Sequence, residues 1–232
     1  MSGPGQNSNS SLWLAVLLLA GSIAFFEFSG LDLWLQDHFY NPQTGRWLAD
    51  ADDPAGRRLF YNGPKVLVWL IALAAFALAA GPARWRQRFS FDRRGLWLAV
   101  LVIATVPVIA GVGKKYTNVF CPMEIRRYGG DVAYVKLCDP FPTDERPARR
   151  GGCFPAGHAS GGFALMGLLC IRATRRWRNG AIALGLGVGG WMGIYQMLKG
   201  AHYLSHTVTT VLLAWLVVEL WRRGLGLRGS RA

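Results

Sequence analysis

The chain has 232 residues, of which 52% are apolar and only 17% are charged. Soluble domains carry about 25% charged residues, so this composition does not fit one, and 10 Trp, 12 Phe and 7 Tyr exclude an intrinsically disordered chain. The formal net charge is +13, but the basic residues fall between long apolar runs instead of along one face, which argues against nucleic-acid binding. This pattern is typical of a polytopic membrane protein.

Six apolar stretches approach the roughly 17–25 residues that a helix needs to cross the hydrocarbon core. They are residues 12–28, 64–80, 96–112, 154–171, 181–198 and 205–221. The sequence therefore predicts an all-α integral membrane bundle of six transmembrane helices, which forms a single domain over residues 12–223. We expect a mobile N-terminal tail at 1–11 and a basic C-terminal tail at 224–232. The first stretch is interpreted as a retained helix, because no Lys or Arg precedes it and no cleavage site follows it.

The basic residues predict the orientation of the bundle, because short cytoplasmic loops are enriched in Lys and Arg. Such residues dominate the loop between the second and third spans, the loop between the fourth and fifth spans, and the C-terminal tail. Six spans place these segments on one side together with the N-terminus, so both termini are expected to be cytoplasmic. The opposite loops, residues 31–63 and 114–153, carry nearly balanced charge. They are expected to face the periplasm of a bacterial-type inner membrane.

Three of the four cysteines, Cys121, Cys138 and Cys153, lie in the second outer loop. On an oxidising side of the membrane, two of them can form a disulfide. The sequence leaves the pairing open, and free thiols are the alternative. Cys170 lies inside the fourth span and is interpreted as a packing residue.

Three of the four histidines, His158, His202 and His206, fall at the predicted outer ends of the fourth and sixth spans. A lone histidine is more often structural, but three at one membrane depth indicate acid, base or nucleophilic chemistry near neutral pH. His158 ends a Pro-Ala-Gly-His run. Proline suits the first position of a helix, and the unpaired N–H groups that follow it form a site for a phosphate-like anion.

Lysines accompany these histidines at the same interface. Lys114 and Lys115 end the third span, and Lys199 opens the run that leads to His202 and His206. A lysine offers a point charge to phosphate oxygens, although snorkelling to the interface would explain one of the two neighbouring lysines. The two histidines share a helix face if the helix has begun by His202, and are separated by the turn if it begins three residues later.

In this order and topology, the segments resemble the type 2 phosphatidic acid phosphatase family, the membrane relatives of vanadium haloperoxidases. The family pattern is Lys-x6-Arg-Pro, then Pro-Ser-Gly-His, then Ser-Arg-x5-His-x3-Asp. Lys114 and Pro122 match the first part, with Cys121 in place of arginine. The run that ends at His158 matches the second part, with Ala156 in place of serine. The resemblance covers roughly residues 111–211.

The third part of the pattern departs further. His202 matches its histidine, Tyr195 and Gln196 stand in place of the Ser-Arg pair, and His206 stands in place of the aspartate. Both phosphate-binding arginines of the pattern are therefore absent from their positions. The residues considered as replacements are Lys199, Arg126 and Arg127, although a lysine does not reproduce the arginine fork.

The resemblance implies a two-step phosphoryl transfer that needs no metal or other cofactor. His202 is expected to attack phosphorus and form a phosphohistidine, His158 to protonate the leaving oxygen, and His206 to orient His202. Phosphate binding is assigned to Lys114, Lys199 and the backbone at Gly157 and Ala156. The supplementary candidates are Lys115, Arg126, Arg127 and Gln196. The expected partners are a membrane lipid phosphate and, for transfer instead of hydrolysis, a second lipid acceptor.

The leading hypothesis is a lipid phosphatase or phosphotransferase at the outer face of the inner membrane. Candidate substrates are polyprenyl diphosphate, the phosphorylated lipid anchor of lipopolysaccharide and phosphatidylglycerol phosphate. One alternative is a catalytically inactive lipid-binding or assembly protein of the same fold. Another is a membrane protein that binds zinc through His158, His202 and His206, although the nearby Lys114 would repel a cation.

Overall fold

A computed structural model describes residues 6–226, with side chains from Ser10 onward. Residues 1–5 and 227–232, which belong to the two expected tails, lie outside the described residues. The first helix begins at Gln6, within the stretch expected to be the N-terminal tail.

The described elements follow one another in the following order. They are α1 (Gln6–Phe28), α2 (Leu31–Asp37), β1 (Tyr40–Asn41), β2 (Arg46–Trp47), α3 (Pro54–Gly56), a π-helical turn (Arg57–Asn62), α4 (Gly63–Ala80), α5 (Ala83–Gln87), α6 (Arg93–Thr117), 3-10 turns at Pro122–Glu124, Arg126–Tyr128 and Thr143–Glu145, α7 (Gly157–Ala164), a 3-10 segment (Leu165–Cys170), α8 (Arg175–Leu198) and α9 (Leu204–Gly224). β1 and β2 pair antiparallel as a small hairpin.

Within the described residues, five helical stretches are long and apolar enough to cross a membrane. They are Ser10–Phe28, Pro54–Ala80, Arg93–Glu124, Arg175–Leu198 and Leu204–Gly224. The prediction of an all-α membrane bundle is therefore confirmed. The five stretches correspond to the predicted first, second, third, fifth and sixth spans, and the predicted fourth span is not among them.

Residues 154–171, predicted as the fourth span, form α7 and then the 3-10 segment instead of one long α-helix. A glycine inside a helix lowers the stability of that helix. The glycines of this segment allow close packing against neighbouring helices. A β-carbon on Gly162 would collide with the backbone of Gly189 in α8. In the 3-10 part, a β-carbon on Gly167 would likewise lie 2.9 Å from Cβ of Val102 in α6. The segment is therefore packed tightly between α6 and α8, and it is not the single regular helix that the apolar pattern predicted.

The interrupted segment nevertheless runs beside α6 along its whole length. At one end, the N–H of Asp92 donates to the carbonyl oxygen of Ile171 at 3.0 Å. At the other end, the hydroxyl of Thr117 donates to the carbonyl oxygen of Phe154 at 2.7 Å. The segment is therefore antiparallel to α6 and spans the same height of the bundle.

Both predicted outer loops fold over one end of the bundle. The N–H of Ala49, in the first loop, donates to the carbonyl oxygen of Leu198 at 3.1 Å. The N–H of Met123, in the second loop, donates to the carbonyl oxygen of Gly200 at 2.9 Å. The two loops thus meet at the turn that joins α8 to α9.

Cys121 and Cys153 form a disulfide, which resolves the pairing that the sequence left open. Cys138 is an exposed free thiol and Cys170 a half-buried one. The disulfide joins the two ends of the second outer loop. It therefore ties the segment after α6 to the segment before α7.

Candidate active site

Three histidines from separate segments meet at the covered end of the bundle. His158 lies in the first turn of α7, His206 in the first turn of α9, and His202 in the turn between α8 and α9. The ring centroids of His158 and His202 are 6.1 Å apart, and those of His202 and His206 are 5.5 Å apart. Helix α9 begins after His202, so the turn separates the last two histidines.

Backbone hydrogen bonds fix the conformation of the turn that carries His202. The N–H groups of Ala201 and His202 donate to the carbonyl oxygen of Gln196 at 2.8 and 3.3 Å. Gly200 has a φ of +72°, a conformation that glycine adopts without steric cost, and the ring of Trp47 fills the space where a side chain would project. His202 is consequently held 98% buried, with a relative exposure of 2%.

The rings of His202 and His206 are hydrogen-bonded through their Nδ1 atoms, which lie 3.2 Å apart. One must donate and the other accept. If His202 donates, its Nε2 keeps a lone pair, and within residues 6–226 this Nε2 has no hydrogen-bond partner. Burial lowers the pKa of His202 well below its ordinary value, and His206 and Lys114 act in the same direction. A neutral His202 with a free Nε2 is a competent nucleophile.

The first turn of α9 is tied to α2 and α7. Oδ1 of Asp32 accepts a hydrogen bond from the N–H of Ser205 at 2.9 Å. Oγ1 of Thr210 donates to the carbonyl oxygen of His206 at 2.6 Å and accepts from the N–H of Ala156 at 2.9 Å. This last bond corrects the predicted phosphate site: the N–H of Ala156 is already used, so Ala156 supports the fold instead of facing an anion.

His158 has one hydrogen-bond partner among the described side chains. Its Nε2 lies 2.9 Å from Oη of Tyr61, whereas its Nδ1 is buried without a partner among the described residues. Tyr61 is not among the site residues that the sequence predicts, and it lies 97 positions earlier in the chain. No local motif signals this contact, because only the packing of the π-helical turn against the bundle creates it.

Two of the predicted lysines lie beside the histidines. Lys114, in the last turn of α6, packs against Gly157, where a β-carbon would lie 2.9 Å from its Cε. Nζ of Lys199 lies 5.6 Å from the ring centre of Tyr61, and burial, together with the nearby Arg57, lowers the pKa of Lys199. Neither ammonium group forms a salt bridge within the described part of the chain. The site therefore has uncompensated positive charge that suits an anion.

The four supplementary candidates for phosphate binding do not bring a free charged group to the histidines. Arg126 pairs with Glu145 at 3.0 Å. Both Nε and Nη2 of Arg127 donate to Asp37, at 2.8 and 2.7 Å. The structure thus uses both arginines in surface ion pairs instead of bringing them to the histidines. Of the other two, Lys115 is exposed, and Gln196 is buried and supports the turn that carries His202 through its carbonyl oxygen.

The described residues also contain one group of possible metal ligands, formed by Cys153, His202 and His206. Sγ of Cys153 is bonded to Cys121, so it is not a thiolate, the form of cysteine that binds metals. His158 is not part of the group. The donor set therefore does not fit the three-histidine zinc site considered from the sequence.

Comparisons with known proteins agree with this geometry. A family model described as the PAP2 superfamily matches residues 95–228, more than half of the chain. A protein named lipid A 4'-phosphatase, from Francisella tularensis subsp. novicida, is 24% identical over 210 residues, which cover 87% of this chain and 90% of that protein. No solved structure matches the chain.

Proposed function

Because the chain belongs to the PAP2 superfamily, we propose that it is a membrane lipid phosphatase or phosphotransferase that uses His202 as its nucleophile. The observation that carries this proposal is the arrangement of the imidazoles. Nδ1 of His202 is engaged by His206 at 3.2 Å, and the His158 ring lies 6.1 Å from that of His202. A phosphoryl group that enters between His202 and His158 meets a nucleophile on one side and a proton donor on the other.

In the first step, Nε2 of His202 bonds to phosphorus as the bond from phosphorus to the lipid oxygen breaks. His158 gives a proton to that leaving oxygen. Charge on the transferring oxygens is stabilised by Lys114, by Lys199 and by the N–H groups of Gly157 and His158, which open α7 and have no partner within that helix. These groups are fixed by the fold before substrate arrives, so little reorganisation is needed.

In the second step, water or the hydroxyl or phosphate of another lipid attacks the phosphohistidine. His158 takes up the proton of the attacking group, and the bond between phosphorus and His202 breaks. His206 accepts the Nδ1–H hydrogen bond of His202 throughout, as the aspartate of the family pattern would. A neutral imidazole stabilises the positive ring of the intermediate less than a carboxylate does, because it carries no opposite charge.

We further propose six membrane crossings, with both termini cytoplasmic and the site at the periplasmic face. Residues 154–171 supply the sixth crossing, since they run antiparallel to α6 over its full height. The disulfide between Cys121 and Cys153 favours an oxidising compartment at the site end. The arginine-rich loops before α6 and before α8 lie at the opposite end, which favours a cytoplasmic position for that end.

The substrate is proposed to be a phosphorylated lipid whose chains stay in the bilayer. The name of the similar Francisella protein makes lipid A the first substrate to test. Polyprenyl diphosphate and phosphatidylglycerol phosphate are the other members of a suitable panel. A second lipid acceptor would convert hydrolysis into transfer at the same phosphohistidine.

The test is phosphate release from this panel in detergent micelles, with and without an acceptor lipid, by wild type, His202→Ala and His158→Ala. We expect activity on at least one lipid and its near-complete loss in both variants. Trapping an acid-labile, base-stable phosphoenzyme in wild type but not in His202→Ala would support the covalent step. Undiminished turnover by His202→Ala would contradict the proposed nucleophile, and inactivity of wild type on every lipid would favour the non-catalytic lipid-binding alternative.

A further inference from the structure

Tyr61 reaches the site from a part of the chain that the family match does not cover. It lies in the π-helical turn Arg57–Asn62, just before α4, whereas the match begins at residue 95. Its Oη lies 2.9 Å from Nε2 of His158, and the two ring centroids are 4.8 Å apart. Among the described residues, this is the one hydrogen bond made by the His158 ring.

The π-helical turn is anchored so that Tyr61 is held in place. The neighbouring Phe60 stacks on Trp191 of α8, with ring centroids 5.0 Å apart. The ammonium groups of Lys65 and Lys199 lie 6.0 and 5.6 Å from the centre of the Tyr61 ring, which is within the range of cation–π attraction. The phenol is therefore positioned before any substrate enters.

The two nitrogens of the His158 ring have different surroundings. Nε2 faces the hydroxyl of Tyr61, and Nδ1 is buried with no hydrogen-bond partner among the described residues. A buried polar atom without a partner raises the energy of the folded state. A substrate oxygen at Nδ1 would restore the missing hydrogen bond.

We propose that Tyr61 is a positioning residue that holds His158 with Nδ1 available to the reacting phosphate, an inference that rests on the function proposed above. Oη of Tyr61 accepts a hydrogen bond from Nε2–H. A partner on one ring nitrogen decides which nitrogen exchanges protons. Because Nε2 keeps its proton, Nδ1 becomes the atom that gives a proton to the leaving group and later takes one from water.

The proton balance follows from this assignment. When the bond from phosphorus to His202 forms and the bond to the lipid oxygen breaks, the Nδ1 proton of His158 moves to that oxygen. When water attacks the phosphohistidine, one of its protons moves to Nδ1 and the bond from phosphorus to nitrogen breaks. Nε2 remains protonated in both steps, so Tyr61 neither gains nor loses a proton.

The test compares two phosphate monoesters in wild type and in Tyr61→Phe, which removes the hydroxyl but keeps the ring and its contacts with the lysines. The first ester is lipid A or phosphatidylglycerol phosphate, whichever wild type hydrolyses faster, because each is a phosphate monoester of an alcohol whose leaving oxygen needs a proton. The second is p-nitrophenyl phosphate, whose leaving group departs without one. The control variant is Tyr116→Phe, because Tyr116 is 77% exposed.

We expect Tyr61→Phe to lower kcat on the lipid by about 10- to 100-fold, with KM changed less than about threefold, because general acid catalysis is worth roughly 10²–10⁴. Turnover of the p-nitrophenyl ester should fall less than about threefold, and Tyr116→Phe should match wild type on both esters. Equal losses on the two esters would assign Tyr61 a purely structural role and overturn the proposal.

Two other outcomes separate this proposal from the proposed function. Wild-type kcat on the lipid in Tyr61→Phe, together with inactivity of His158→Ala, would overturn the role of Tyr61 and leave the phosphatase function standing. Full lipid turnover by His202→Ala would overturn the phosphohistidine mechanism, and the proposal for Tyr61 would fall with it.

Discussion

Nδ1 of His202 lies 3.2 Å from Nδ1 of His206, at the position where the family pattern places an aspartate. When His202 is the donor in this hydrogen bond, its Nε2 is left free. A neutral His206 supplies no negative charge, so in the proposed mechanism the positive ring formed on His202 would be stabilised less than by an aspartate. This pair of imidazoles is one departure of the site from the family pattern, beside the two missing arginines.

Substitutions of His206 should show whether the hydrogen bond to His202 or a charge at this position matters more for kcat. We expect His206→Ala to lower kcat about 100-fold, because His202 loses the acceptor that fixes its tautomer. His206→Asn, which keeps an acceptor without charge, should stay within about tenfold of wild type, and His206→Asp should equal or exceed His206→Asn. Initial rates on the preferred lipid measure this order, and full activity of His206→Ala would contradict it.

Lys114 should contribute to phosphate binding through its charge. A hydrogen bond to a charged group contributes about 1.5–3 kcal/mol, so Lys114→Gln should lower kcat/KM by roughly 10- to 100-fold. The control is Lys115→Gln, because Lys115 is exposed on the same helix turn. The rates of both variants, together with inhibition by inorganic phosphate, test the assignment. A loss in Lys115→Gln alone would transfer the role to Lys115.

Gly157→Ala should disturb the site without unfolding the protein. The new methyl group would lie 2.9 Å from Cε of Lys114, so the flexible lysine must move and its ammonium group leaves the phosphate position. We expect a clear loss of kcat/KM with an unchanged melting temperature. Gly161→Ala is the matched control in the same helix, because its methyl group would meet Cγ1 of Val68 at an ordinary 3.7 Å. Equal activity of the two variants would argue against the assigned place of Lys114.

The membrane bundle could be predicted from the sequence because long apolar runs are a local property. The clustering of His158 with His202 could be expected because the order of spans brings both ends to one side. Long-range contacts carry no such signal. The hydrogen bond between Tyr61 and His158 joins segments 97 residues apart, and the one that occupies the N–H of Ala156 depends on Thr210, 54 residues away.

The interrupted fourth span shows a second limit of sequence reasoning. Its apolar composition predicts one long membrane helix, but the segment changes from α7 to 3-10 geometry at Leu165. Its close contacts, such as that of Gly162 with Gly189, form only after α8 has packed, so the local sequence carries no signal for them. Likewise, charge alone makes Arg126 a candidate to replace a missing arginine. The structure engages it with Glu145 instead, a surface pairing that spacing does not reveal.

The protonation of His202 should differ from that of an ordinary histidine. Because burial lowers its pKa, His202 should remain neutral at pH 6, where an exposed histidine with a pKa of about 6.5 is mostly charged. The neutral nucleophile is then available across the neutral range and is lost only at lower pH. Nitrogen-15 histidine NMR in micelles can follow the titration, with the spectrum of His202→Ala to assign the signal. A midpoint at or above about 6.5 would contradict the expectation.

The disulfide between Cys121 and Cys153 should stabilise both the fold and the turn between α8 and α9 that carries His202. The two cysteines are 32 positions apart, and closing such a loop lowers the entropy of the unfolded chain enough to stabilise the fold by about 3–4 kcal/mol. Sγ of Cys153 also lies 3.5 Å from Nδ1 of His202. A Cys121→Ser/Cys153→Ser double variant should therefore melt at a lower temperature and lose activity, and a reductant should affect wild type in the same direction. Cys138→Ser is the control, since Cys138 is an exposed free thiol. Thermal unfolding in micelles with and without reductant measures the effect, and a double variant as stable as Cys138→Ser would show that the bond contributes nothing to the fold.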